Sequence, residues 1–152
     1  MAATHRGSRA TLAMAGACLA LVAIVGTATA AGPPQPVEIE STMWVGDPPN
    51  TGDFSTAGSD LICDWGTIVD TRYVWGGMTP HGQQLQVDKT FDCGDGEIYV
   101  RMQISGVFAD ETFTWVVLGG TDRYAGLHGR GDGWTEGFEG YVINHYSGFL
   151  VG

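Results

Sequence analysis

The chain has 152 residues, a formal net charge of −10 and 24 glycines, with only 16% of its residues charged. That length holds one domain of ordinary size. The acidity excludes nucleic acid and anionic membrane surfaces as electrostatic partners, because both are recognised by clustered Lys and Arg.

Residues 1–30 read as an export signal. His5, Arg6 and Arg9 form a positive start, residues 11–25 are uncharged and rich in Ala, Leu and Val, and Ala28-Thr29-Ala30 is a small-residue cleavage pattern. Cys18 lies inside the apolar run instead of ending it, which sets aside lipidation. Cleavage after Ala30 leaves 122 residues and, since Arg6 and Arg9 depart, a net charge of −12. The sequence therefore predicts a secreted protein with no membrane attachment after cleavage, the alternative being an uncleaved anchor, since the weakly polar stretch to Ala31 is about 20 residues long, enough to span a bilayer. Residues 31–36, with Pro33, Pro34 and Pro36, are expected to form an extended leader, and residues 37–152 the folded domain.

Residues 37–45 are the first strand candidate. Residues 46–59 hold Gly, Pro, Asn, Asp and Ser in quantity and predict a long loop with at most a short strand. Residues 61–70 and 72–75 follow as strands. In residues 84–91, Leu85, Val87 and Phe91 alternate with Gln84, Gln86, Asp88 and Thr90. In residues 97–106, Ile98, Val100, Met102 and Ile104 alternate with Tyr99, Arg101 and Gln103. Period-two alternation gives each strand one apolar and one polar face. Asp92-Cys93-Gly94-Asp95-Gly96 between them suits a tight hairpin. Residues 112–118, 133–138 and 141–151 complete the set, and no segment carries a helical stripe. About eight short antiparallel strands predict an all-β barrel or sandwich. The apolar end Phe149-Leu150-Val151 must be paired to be soluble, which favours a barrel closed by its last strand.

After cleavage Cys63 and Cys93 are the two remaining cysteines, an even count that reads as a disulfide outside the cytosol. No Cys-x-x-Cys or His-x-x-x-His spacing occurs, and His81, His128 and His145 form no recognisable ligand motif, so neither metal nor cofactor is expected. No Gly-x-Ser-x-Gly elbow is present. Asp110 and Glu111 read as a solvated turn, and Asp92, Asp95 and Asp132 as turn residues. The five tryptophans are expected chiefly in the core, with lining of an apolar cavity as the alternative.

The segment Val116-Val117-Leu118-Gly119-Gly120-Thr121-Asp122-Arg123-Tyr124-Ala125-Gly126-Leu127-His128-Gly129 is the most distinctive. It resembles the strand–turn–strand signature of the allene oxide cyclase and dirigent barrels. With Phe54-Ser55-Thr56-Ala57-Gly58, Cys63-Asp64-Trp65-Gly66-Thr67 and residues 91–96, it is similar to small exported bacterial proteins of unknown function. Asp122 stands where that signature has Gly, and Asp tolerates a positive φ, with Arg123 and Tyr124 expected to begin the return strand. His128 stands where dirigent proteins carry an arginine facing the ligand cavity. The resemblance implies a calycin-type barrel of about eight strands with a ligand cavity, and a trimeric homo-oligomer.

Alternation alone leaves the facing of the strand around Arg101 open. Either Ile98, Val100, Met102 and Ile104 fill the interior, or Tyr99, Arg101 and Gln103 line a polar cavity. Tyr99, Arg101, Tyr124 and His128 are the candidate ligand-binding residues. The expected function is binding of a small apolar or aromatic molecule, or of an extracellular surface, without catalysis. The alternatives are a cyclase- or dirigent-like enzyme steering a reactive intermediate, and an envelope protein or secreted inhibitor with no pocket.

Overall fold

A computed structural model describes residues 32–46, 48–107 and 110–152. The export signal expected over residues 1–30 lies outside the described residues. Eight antiparallel strands follow one another around a closed barrel, each paired to the next and the last to the first. They are β1 (Gln35–Trp44), β2 (Thr51–Ala57), β3 (Trp65–Thr79), β4 (Gly82–Asp92), β5 (Glu97–Val107), β6 (Asp110–Gly120), β7 (His128–Phe138) and β8 (Tyr141–Val151). Closure runs from Gln35 opposite Leu150 to Trp44 opposite Tyr141, so the apolar C-terminal residues are paired as the sequence requires.

Three local expectations change. The stretch expected to be mainly loop contains the seven-residue β2. The separate candidates 61–70 and 72–75 become the single strand β3, with a register shift between Asp70 and Arg72. Arg123 and Tyr124 do not begin the return strand: they lie in a 3-10 turn (Asp122–Tyr124), and β7 starts at His128. Asp122 has φ 51°, the left-handed conformation its side chain tolerates.

The facing of β5 is decided. Ile98, Val100, Met102 and Ile104 are buried inside, and Tyr99, Arg101 and Gln103 point outward. Inward positions elsewhere follow the same alternation: Val37, Ile39, Ser41 and Met43 on β1, and Phe113, Trp115 and Val117 on β6. On β7 the inward phase is Gly129, Gly131 and Gly133. A Cβ on Gly131 would sit 2.7 Å from Trp115 Nε1, and one on Gly148 of β8 would sit 2.6 Å from Trp115 Cζ2. The two glycines thus make the space that the Trp115 indole fills, and its N–H donates to the Asp132 carbonyl at 3.2 Å.

The two ends of the barrel differ. At one end Cys63 and Cys93 form the expected disulfide, with Cα atoms 5.8 Å apart, tying the β2–β3 loop to the β4–β5 turn. Tyr124 and Leu127 from the β6–β7 connection and Ile62 from the β2–β3 loop are buried with it. The Tyr124 hydroxyl donates to Asp95 Oδ1 at 3.0 Å. In mid-barrel the Tyr146 ring makes edge contacts with Phe91, Phe113 and Trp115, at centroid distances of 5.9, 4.9 and 6.2 Å. The opposite end carries the β1–β2, β3–β4, β5–β6 and β7–β8 connections, and the described residues there leave a cavity between them.

Candidate functional site

The open end of the barrel encloses a cavity of about 260 Å³. Its apolar wall is Met43, Leu85, Val87, Met102, Ile104 and Val142, drawn from inward positions of β1, β4, β5 and β8. Its polar groups are Asn50, Asp70, Tyr73, Gln83, Lys89, Glu111, Thr135 and Asn144. A hydrogen-bonded polar interior is costly to build and is tolerated only when its members are paired.

Asp70 and Lys89 are direct cross-strand partners on β3 and β4. Their side chains are 5% and 4% exposed, with Lys89 Nζ 2.5 Å from Asp70 Oδ1. The other carboxylate oxygen accepts from the Tyr73 hydroxyl at 2.6 Å and from Asn50 Nδ2 at 3.1 Å. Strict alternation would send Tyr73 to the opposite face from Asp70. The register shift between Asp70 and Arg72 resets the phase, and Tyr73 pairs with the inward residue Val87. Burial first, and then its bond to Asp70, push the Tyr73 phenol well above its ordinary range, so it remains a donor.

Glu111, at the start of β6, accepts from Gln83 Nε2. Burial pushes its carboxyl above the usual range, so it holds its proton to higher pH than a surface glutamate does. Thr135 Oγ1 donates to Asn144 Oδ1 at 2.9 Å, and Asn144 Nδ2 to Ser41 Oγ at 3.4 Å. The Tyr146 hydroxyl, one inward position deeper on β8 than Asn144, donates to Met102 Sδ at 3.3 Å. The cavity therefore offers an apolar wall, an amine paired with a carboxylate, and a second carboxyl whose titration burial shifts upward. Among the described residues, no group of three or more His, Cys, Asp or Glu converges as a metal site would require.

None of the four residues singled out from sequence lines this cavity. Tyr99 and Arg101 are on the outer face of β5. Tyr99 donates to Glu97 Oε2 at 2.8 Å, and Arg101 makes a two-pronged pair with Asp88 at 2.7 and 2.9 Å. Tyr124 is fully buried at the packed end, and His128 is exposed on the outer face of β7 beside Val116 and Phe149. The tryptophans also differ from expectation: Trp115 alone is buried, and Trp44, Trp65, Trp75 and Trp134 are exposed. Trp134 stacks on the His145 ring at 4.0 Å.

Two of the polar cavity residues, Lys89 and Glu111, are marked by the strand alternation itself. In the alternation of Leu85, Val87 and Phe91, position 89 falls in the inward phase and is a lysine. Glu111, read as part of a solvated turn, stands in the inward phase of Phe113, Trp115 and Val117 and is buried.

The Arg101–Asp88 pair on the outer wall gives a pH-dependent prediction. The Arg101 guanidinium holds the Asp88 carboxyl below the usual carboxylate range. A depressed folded pKa stabilises above the unfolded value of ~3.9 and loses that stabilisation as pH falls through the folded pKa. Arg101→Gln should lower stability modestly at pH 7, as loss of a partly exposed pair does. Denaturant titrations in acid should show this deficit shrinking below pH ~4.

Comparison of the chain with protein-family models, with curated proteins and with solved structures finds no match.

Proposed function

We propose that the protein is an exported carrier or receptor that holds a small, mainly apolar molecule in the open end of its barrel. The observation that carries this reading is the asymmetry of the interior. One end is filled by aromatic side chains and locked by a disulfide, while the other keeps a cavity of about 260 Å³ with an apolar wall and a few convergent polar groups. The signal-like N-terminus and the cystine support an extracellular setting. The resemblance of residues 116–129 to the allene oxide cyclase and dirigent barrels supports a ligand inside the barrel. It supplies no site residue, because Tyr124 and His128 lie elsewhere.

Native mass spectrometry of protein purified from its own culture medium tests the reading. A bound species of defined mass is expected, and it should be missing from a Leu85→Trp variant, in which an indole fills the cavity mouth. Bare protein from repeated preparations overturns the proposal.

A second reading, an enzyme that steers a reactive intermediate within the barrel, is supported by the placement of an amine and two carboxyls on the cavity wall. Under it, the molecule recovered would differ in mass or connectivity from the molecule supplied.

A further inference from the structure

The chain contains a single lysine, Lys89. Lysine is among the residues least often buried, because its compact ammonium is strongly hydrated. Here the one lysine is 4% exposed and sits on the wall of a cavity, opposite Asp70.

The arrangement limits what such a lysine can engage. Asp70 is held by Lys89, Tyr73 and Asn50 together, so the carboxylate is committed to its place beside the amine. The bond to Asp70 uses one of the three N–H groups of an ammonium, and the space next to Lys89 is the cavity. The Lys89–Asp70 pair is neutral as a unit. An anionic ligand would add a second negative charge beside Asp70, and a cationic one a second positive charge beside Lys89. A neutral acceptor on an apolar body disturbs neither, and it matches the wall of Met43, Leu85, Val87 and Met102.

Building on the cavity as ligand site, we infer that Lys89 captures a neutral carbonyl compound, an aldehyde or ketone with an apolar body, as a reversible imine. The ammonium passes a proton to the Asp70 carboxylate 2.5 Å away and frees its lone pair. The nitrogen attacks the carbonyl carbon, the C–N bond forms, and the carbonyl π pair moves to oxygen, which takes a proton from nitrogen to give the carbinolamine. Asp70 returns its proton to that hydroxyl, the C–O bond breaks, and water leaves. The product is an iminium on Lys89 beside a restored Asp70 carboxylate, so the charge pair survives. One water is released and nothing is oxidised or reduced. The amine, a proton acceptor and the cavity are thus in contact before any ligand arrives.

The test uses the full exported protein, cinnamaldehyde as probe, and cyanoborohydride to trap the imine. The expected product is heavier by the mass of cinnamaldehyde less one oxygen, and peptide mapping places the addition on Lys89. Labelling of Lys89 should be faster in the folded protein than in urea, by about tenfold or more. It should vanish in Lys89→Arg, which keeps the charge pair, and in Leu85→Trp. A lysine buried for structural reasons alone behaves oppositely: in the folded protein only the N-terminal amine is modified, and Lys89 reacts once urea unfolds the chain. That result overturns the inference. If a natural ligand is nevertheless found by native mass spectrometry, the cavity reading stands without the imine. If no ligand is found and Lys89 stays unlabelled, both fall.

Discussion

Lys89→Met should lower the free energy of unfolding by about 3–5 kcal/mol, a large part of the total for a domain of this size. The substitution leaves Asp70, 5% exposed, without its cationic partner in the barrel interior. Tyr73 and Asn50 would still donate to it, but neither carries charge. The cause is the stranded carboxylate and not lost attraction as such, so a second change should repair most of the damage. In Asp70→Leu combined with Lys89→Met, stability should return to near the parent value or exceed it. Urea titrations of the parent, both single variants and the double variant measure the cycle. If the double variant is as unstable as Lys89→Met alone, the pair is not the cause. A double variant that is stable but takes up no ligand would show that the buried charges serve binding and not folding.

The second large effect is expected from Cys63→Ser with Cys93→Ser. The two cysteines are 30 residues apart in sequence, and opening that loop should cost about 3–4 kcal/mol in the chain-entropy treatment. The bond joins two connections at the packed end, where Tyr124, Leu127 and Ile62 are buried. Its loss should first loosen that end and expose Tyr124 to solvent, while the cavity end keeps its hydrogen-exchange protection. Uniform loss of protection along all eight strands would show instead that the barrel has no separately stabilised end.

The fold was legible because its signals are local and repeated. The alternation in residues 97–104 specifies a strand with two unlike faces, the Asp-Gly run at 92–96 specifies a reversal, and the apolar end at 149–151 requires a partner. The cavity was harder to see because it is made where those signals break. Lys89 interrupts an apolar face, and a reading that collects apolar residues passes over it. Tyr73 returns to the face of Asp70 only because of a register shift that no residue in 70–72 announces. Glu111 looks like a turn residue by composition and is buried because of where the strand begins. Arg101 and His128 stand out by chemistry and motif, yet the face each takes is set by strand phase, which is fixed only when the barrel closes, while Tyr124 lies in a turn that folds over the packed end. The exposed tryptophans show the same limit: Trp44, Trp65 and Trp134 stand in the outward phase of strands whose inward positions are held by smaller residues.

The most direct measurement concerns three methionines. Met43 and Met102 line the cavity, while Met78 is exposed on the β3–β4 hairpin. With methionine methyl groups labelled with carbon-13, titration of a small apolar ring compound such as indole should shift the Met43 and Met102 resonances together and saturably, leaving Met78 unmoved. A titration that moves Met78 alone, or none of the three, contradicts a barrel with a ligand-accepting open end.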